Sequence, residues 1–349
     1  MEKRYFLKGN SAAAEAAIRT GCKGYFFYPV TPSSEIGEHM SQYLAEHGGV
    51  FVQAESEIAA VNMLMGGASA GVRVMTGTSG VGFSLMTEGI SYMAGAEVPA
   101  VIIDVMRGGP GLGTLEPTQS DYNQLTKAPG HGGHMIPVFA PGSVQEIVDA
   151  VFRSYDVAFK FRTPVGILYD AYTGQMMESV IFPESKTAVD VTDWALDNTE
   201  RKSRVVRSGY GVNIMPHWEE LYAKYDRMKA ELQEWEELNT DDAAIILCGF
   251  GLVGRICRSV AQKARAKGIP AGVIRPKMIS PFPAKAFERF REGKKFFLTV
   301  EMSYGQMIND VTVALGDGKR SRFFRNRYGS LPRMAEILGA VEELWEEIK

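Results

Sequence analysis

The sequence predicts an α/β protein: a mostly parallel sheet with helices on both faces, followed by a smaller unit of the same kind. Three observations carry this. Short apolar runs alternate with helix-length amphipathic runs along most of the chain, the pattern of βαβ units. Glycine and proline mark the junctions, as at Tyr28-Pro29-Val30-Thr31-Pro32 and Thr76-Gly77-Thr78-Ser79-Gly80. The chain has 349 residues, room for two domains of ordinary size, and the alternation breaks once, from about 176 to 242.

Composition excludes several classes. Apolar residues make up 45% and charged residues 23%, typical of a globular protein. A net charge of −3 without any basic block argues against a nucleic-acid partner. No run of 18 apolar residues exists, so no transmembrane helix is expected, and Met1-Glu2-Lys3-Arg4 lacks the apolar core of a signal peptide. The expected compartment is the cytoplasm. The three cysteines, Cys22, Cys248 and Cys257, are too few for a disulfide scaffold or for the four thiolates of an iron–sulfur cluster. If electrons are transferred, the cluster sits on another chain.

The first domain is expected over 1–175. Asn10 and Ser11 open a helix, Ala12 to Thr20, that Gly21 stops. Then come strand Gly24–Tyr28, a proline-bounded turn, helix Glu35–His47, strand Val50–Gln53 and a helix from Glu55 to Ala70 rich in small residues. Strand Val72–Met75 leads through a turn into a helix reaching about Ala94. Strand Val101–Met106, a glycine-rich loop Arg107–Gly113, strand Met135–Phe139, helix Ser143–Phe161 and strand Val165–Tyr169 complete it. Residues 176–242 read as a connecting arm with a charged helix, His217 to Leu238. The second domain, 243–349, alternates again. Its strands are Ala243–Cys248, Ala271–Arg275, Phe296–Val300 and Arg322–Arg325. Its helices are Val253–Lys267, Ala284–Arg291, Gln306–Leu315 and Leu331–Ile348.

The turn Tyr28–Ser34 is the first candidate site. Two prolines fix φ and remove two N–H donors, so the backbone is stiff, and Ser33 or Ser34 can cap the next helix. Thr31 is thereby presented at the carboxyl end of a strand, where open α/β sheets bind ligands. Glu55-Ser56-Glu57 opens the next helix. Dipole complementarity explains one acid there. The small-residue face that follows, Ala59, Ala60, Gly66 and Ala70, suits the close approach of another element or a flat ligand. A carboxylate at that place can exchange protons with a heterocyclic nitrogen.

Other patterns carry less. Gly249-Phe-Gly251-Leu-Val-Gly254 fits GxGxxG, but the following strand ends Val273-Ile274-Arg275 without the acid a dinucleotide needs; it reads as a tight turn with close packing. Gly316-Asp317-Gly318 has no asparagine at the distance the thiamine diphosphate–magnesium motif requires, and Gly316 reads as a helix cap. His131-Gly-Gly-His134 lacks a third ligand, so no metal is expected on this chain.

Together the motifs resemble the α subunit of 2-oxoacid:ferredoxin oxidoreductases. They are Tyr28-Pro-Val-Thr31-Pro-Ser-Ser, Glu55-Ser-Glu57-x-Ala-Ala, Thr78-Ser79-Gly80-Val-Gly, Arg107-Gly-Gly-Pro-Gly, Arg275-Pro-Lys-Met-Ile-Ser-Pro-Phe-Pro283 and Val300-Glu-Met-Ser-Tyr-Gly-Gln306. The motifs look most like those of the branched-chain (2-oxoisovalerate) members. The resemblance implies a pyrimidine-binding domain of the thiamine enzymes followed by a domain like the C-terminal one of transketolase. It implies thiamine diphosphate shared with a β subunit, with Glu57, Pro29, Thr31, Ser79 and Gly80 on the cofactor. Glu57 would hydrogen-bond N1′ of the aminopyrimidine and so promote the tautomer that takes the proton from thiazolium C2. Thr31 and Arg107 would face the substrate, Arg107 pairing its planar fork with the 2-oxo acid carboxylate. Magnesium would sit on the β subunit and iron–sulfur clusters on small ferredoxin-like subunits, with coenzyme A taking the acyl group.

Two rival readings stand beside this one. The 2-oxoglutarate homologue has a similar α subunit, but its substrate needs a second cation. The first 120 residues hold only Arg4, Arg19, Arg73 and Arg107 as arginines, and only Arg107 lies in a motif loop, which favours an apolar side chain. A non-catalytic scaffold would not need Glu57.

Overall fold

A computed structural model describes residues 3–184, 190–196 and 214–349. The larger sheet has seven strands in the order Met278–Ser280, Val138–Phe139, Pro164–Asp170, Ala100–Met106, Val74–Thr78, Gly24–Phe27, Val50–Gln53. All neighbours are parallel except the first pair, which runs antiparallel. The alternation along the central strand sorts its side chains between two layers. Val101, Ile103 and Val105 pack under helices Gly9–Arg19, Ser34–Tyr43 and Val144–Phe161. Ala100, Ile102 and Met106 pack on the opposite face with helices Glu57–Ser69 and Gly80–Ala96. That second layer continues into the C-terminal half through Ile246, Phe250, Phe297 and Met307.

A five-stranded sheet forms the second half, in the order Ser321–Arg325, Phe296–Glu301, Ile245–Cys248, Ala271–Pro276, Trp235–Leu238. It is parallel apart from its last strand. A two-stranded antiparallel ribbon pairs Tyr5–Lys8 with Met177–Val180. Among the described residues no helix is long and apolar enough to cross a membrane.

Several expectations need correction. The charged helix spans Ile214–Glu231, and its expected continuation to Leu238 is instead a strand pairing with Val273–Pro276. A run of acids there looked helical, but Glu236 and Glu237 are held outward on a sheet edge by Arg258, Arg275 and Arg289. The arm also contributes to a core, because Leu221, Tyr225, Met228 and Leu232 are buried in the first layer. Residues 185–189 and 197–213 of that arm lie outside the described residues. The strand expected over Met135–Phe139 is only Val138–Phe139, and the helix expected over Ala284–Arg291 is the single turn Lys285–Glu288.

Candidate active site

Four neighbouring parallel strands, 24–27, 50–53, 74–78 and 100–106, end on one edge of the larger sheet. The connections leaving those ends carry Pro29 and Thr31, Glu57, Ser79 and Gly80, and Arg107. Topology thus gathers on one edge residues that lie far apart in sequence, at the place where such sheets take ligands.

The first connection keeps Pro29 and Thr31 exposed and buries Ser33. Ser33 occupies the N-cap position of helix Ser34–Tyr43, but its hydroxyl donates back to the Val30 carbonyl at 2.8 Å and leaves the helix uncapped. The helix start is tied elsewhere: Asn10 Nδ2 donates to the Pro32 carbonyl at 2.7 Å and to Glu35 Oε2 at 2.9 Å.

Glu57 is the first residue of its helix. Ser56 caps that helix, its hydroxyl accepting from the Ala59 N–H at 3.2 Å, so Glu57 is left out of the capping. The side chain is 6% exposed, and its carboxyl has no hydrogen-bond partner among the described residues. It lies over the start of helix Gly80–Ala96, where Gly82 makes room: a Cβ there would come 2.6 Å from Glu57 Oε1 and 2.4 Å from Thr78 Oγ1. The small residues that follow do not form the single face the sequence suggested. Ala60 is in the core and Gly66 is open to solvent, while the close helix contact is at Gly89, whose Cβ would meet Val61 at 2.6 Å.

Arg107 is 7% exposed and tied down by backbone carbonyls, Nη1 to Thr31 at 3.0 Å and Nη2 to Leu112 at 2.9 Å. Its Nε–H is buried without a partner, as are the hydroxyls of Thr76, Thr78 and Ser79. Sequence reasoning missed two acids beside it. Asp104 lies inside the central strand and accepts the Gly80 N–H at 2.9 Å. Asp121 packs against the same glycine, whose Cβ would lie 3.5 Å from its Oδ2. A signal existed: Asp104 is the lone charge in the run Val101–Met106.

A cavity of about 420 Å³ opens beside Arg107, walled by Ser84 and Gln124 of the first half and by Tyr304, Gln306 and Tyr328 of the second. The second-half wall is held by a buried carboxylate. Glu301 accepts from the Gln306, Met307 and Ile308 N–H groups at 3.0, 3.0 and 2.9 Å, capping helix Met307–Leu315. Gln306 then donates to the Ser120 carbonyl at 2.7 Å, and Gln119 exchanges two bonds with Met302, at 2.8 and 3.0 Å. This explains why the Val300–Gln306 motif matters although it lies far along the chain: it locks the loop beside Arg107.

Two of the weaker patterns, at Gly254 and Gly316, are accounted for structurally. A Cβ on Gly254 would strike Arg275 Cδ at 2.3 Å, which is the close packing expected of that turn. Gly316 ends helix Met307–Leu315 with φ +67°, and Asp317 pairs with Arg320 at 2.7 Å. Burial pushes the His134 imidazole below its ordinary value. Among the described residues no group of three His, Cys, Asp or Glu is placed to hold a metal.

Known proteins resemble the chain over its whole length. The family model described as "Pyruvate flavodoxin/ferredoxin oxidoreductase, thiamine diP-bdg" matches residues 15–241, and "Pyruvate:ferredoxin oxidoreductase core domain II" matches 243–337. Ketoisovalerate oxidoreductase subunit VorB of Methanothermobacter thermautotrophicus is 43% identical, covering 97% of both chains. 2-oxoglutarate synthase subunit KorA of Archaeoglobus fulgidus is 35% identical over 87% of this chain and 90% of that one. Among solved structures, the 2-oxoglutarate:ferredoxin oxidoreductase of Magnetococcus marinus superposes with a TM-score of 0.88 at 22% identity, covering 99% of this chain and 66% of that one. A split-gene transketolase reaches a TM-score of 0.63 at 12% identity, covering 98% and 99%. The class is therefore that of oxidoreductases with a thiamine diphosphate-binding domain. The chain belongs to the 2-oxoacid:ferredoxin oxidoreductase family, whose members it matches are themselves subunits.

Proposed function

We propose that the chain is the α subunit of a branched-chain 2-oxo acid:ferredoxin oxidoreductase. A substrate such as 2-oxoisovalerate reacts with coenzyme A to give acyl-CoA and CO2, and two electrons pass to ferredoxin. The observation that carries the substrate class is the cavity beside Arg107. Among its described lining residues Arg107 alone is cationic. One guanidinium suits one carboxylate on an otherwise apolar acid, whereas 2-oxoglutarate brings a second anion that this wall does not match. Identity points the same way: 43 and 44% to ketoisovalerate oxidoreductase subunits, 31–35% to 2-oxoglutarate synthase subunits.

Thiamine diphosphate, when bound, supplies the electron sink for decarboxylation. The residues present fit its ring end. Glu57 offers a buried carboxyl that nothing else uses, beside the bare Gly82, and would hold the proton at aminopyrimidine N1′. Pro29, Thr31, Ser79 and Gly80 flank it along the sheet edge. Arg107 keeps N–H groups beyond those given to the Thr31 and Leu112 carbonyls, and these hold and orient the substrate carboxylate.

A β subunit would carry the diphosphate and magnesium, since Asp317 of the nearest motif is already paired with Arg320. Small ferredoxin-like subunits would carry iron–sulfur clusters, because three cysteines do not suffice. Helices Glu57–Ser69 and Gly80–Ala96 expose Ile58, Met63, Leu85 and Tyr92, an apolar seat for that β subunit. The domain division at about 175 and 242 and a cytoplasmic location belong to the same reading.

Rates of the assembled complex with a panel of 2-oxo acids test it. The highest kcat/KM is expected for 2-oxoisovalerate; an equal or higher value for 2-oxoglutarate overturns the substrate class. Calorimetry with thiamine diphosphate and Mg2+ tests the shared site. Tight binding is expected only after the β subunit is added, and micromolar binding by this chain alone would show a complete site here.

A further inference from the structure

The cavity beside Arg107 has a neighbour. A second cavity, of about 360 Å³, is lined by Thr114 and Glu116 on one side and by Arg327, Ser330, Arg333 and Glu336 on the other. Arg333 stands 3.9 Å from Glu336, whereas Arg327 makes no ion pair among the described residues. Glu116 turns its stem to Gly329, where a Cβ would lie 3.2 Å from its own. The first cavity, of about 420 Å³, has Arg107 as its one cation among the described residues. Among those residues Tyr328 alone lines both cavities.

Tyr328 is held there from both halves of the chain. It sits in the turn after strand Ser321–Arg325, with Gly329 at φ +70°. Asn326 closes that turn by donating to the Ser330 carbonyl, and the Ser330 hydroxyl donates to the Arg327 carbonyl at 2.9 Å. The ring reaches across to the first half, where its hydroxyl donates to the Gly109 carbonyl. Gly108 leaves room for it: a Cβ there would stand 2.6 Å from the Tyr328 hydroxyl and 2.5 Å from Thr114 Cγ2. The loop it meets is itself closed. Gly108 and Thr114 exchange two backbone bonds, at 2.9 and 3.1 Å, and Arg107 Nη2 donates to the Leu112 carbonyl. The ring is thus a fixed wall between a cavity with one cation and a cavity with two more.

We propose that Tyr328 is a specificity-determining residue: its ring ends the substrate cavity and keeps the side chain of the 2-oxo acid away from Arg327. The proposal deepens, and rests on, the reading of that cavity as the seat of a 2-oxo acid held by Arg107. A branched alkyl chain packs against the ring and needs no partner beyond it. The tail carboxylate of 2-oxoglutarate needs a cation, and the unpaired cation of the next cavity lies behind the ring. A desolvated carboxylate left without a partner is costly. The ring therefore rejects the diacid by what it hides, and not by size alone.

The test uses the assembled complex. It reads the ratio of kcat/KM for 2-oxoglutarate to that for 2-oxoisovalerate, which a merely structural role would not move. The ring is 53% exposed, so the chain is expected to fold without it. Tyr328→Ala is expected to raise the ratio by about tenfold or more, as for a gained hydrogen bond to a charged group. Tyr328→Leu lowers the wall less and raises the ratio by a smaller factor, so the outcome does not hang on one variant. Tyr328→Phe loses the bond to Gly109 but keeps the ring, and the ratio stays that of the wild type. Adding Arg327→Gln to Tyr328→Ala brings the ratio back to near the wild-type value. A folded Tyr328→Ala complex with the wild-type ratio overturns the proposal, and so does a rise that survives Arg327→Gln. Failure of the reading beneath it looks different: the wild type itself would prefer 2-oxoglutarate, or Arg107→Lys would leave kcat/KM for 2-oxoisovalerate unchanged.

Discussion

Two glycine-rich turns, each leading from a parallel strand into a helix, sit at the edges of the two larger sheets, and they differ in what surrounds them. At Gly249–Gly254 the space above the glycines is filled by the chain itself. Gly251 has φ +57°, and Arg275 lies across Gly254 and is paired with Glu146 at 2.5 Å and Glu236 at 3.0 Å. At Ser79–Gly82 the glycines again admit close neighbours, but these are the Glu57 and Asp121 carboxyls and the Thr78 hydroxyl, several of them unpartnered. A glycine pattern says that something approaches the backbone closely. The unpaired polar atoms around the turn say whether that something belongs to the chain or comes from outside.

Substitutions at the two turns sharpen this contrast. Glu57→Gln should have the largest effect, lowering turnover of the assembled complex by roughly 10²–10⁴-fold, the range for a lost proton-transfer partner. Circular dichroism should be unchanged, since the residue is at a helix start. Wild-type turnover would point to Glu55 instead. Gly82→Ala comes next: its methyl displaces the Glu57 carboxyl, and turnover should fall, by less than for Glu57→Gln, with the fold kept. An alanine variant of full activity would mean that Glu57 acts from another position.

Arg107→Lys should lower kcat/KM for the best 2-oxo acid about tenfold, ~1.4 kcal/mol, as a point charge replaces a two-pronged donor. The smallest functional effect is expected at the other turn. Gly254→Ala should lower the stability of the chain by about 1–3 kcal/mol through overpacking against Arg275, measured by denaturant melting. Turnover per folded molecule should not change. A loss of activity without a loss of stability there would erase the distinction between the turns.

Most of the architecture was legible, because buried parallel strands read as apolar runs bounded by glycine and proline. Strand Val50–Gln53 stands where its apolar run placed it, but the run reads as a buried strand and the structure makes it the half-exposed edge of the sheet, with Val50 in solvent. What escaped was structure made by pairing rather than by pattern. Trp235–Leu238 is half charged and becomes a strand only because Val273–Pro276 offers an edge, and Tyr5–Lys8 has meaning only beside Met177–Val180. At the site, the motif residues were visible as motifs, and the sheet order then placed them side by side. Asp104 and Asp121 were overlooked for a different reason. Seventeen positions separate them in sequence, and only Gly80, from a third segment, brings them to one place.

The short strand Met278–Ser280 belongs by sequence to the C-terminal half yet completes the sheet of the N-terminal half, pairing with Val138–Phe139 while Ser280 Oγ donates to the Ile136 carbonyl at 2.6 Å. The two halves are therefore not interchangeable modules. A fragment ending at 242 would leave Val138–Phe139 as a naked sheet margin, open to pairing with another copy. A hybrid that joins the N-terminal half of one relative to the C-terminal half of another has to carry the 278–280 ribbon with the partner it fits, or the graft will aggregate before it can assemble.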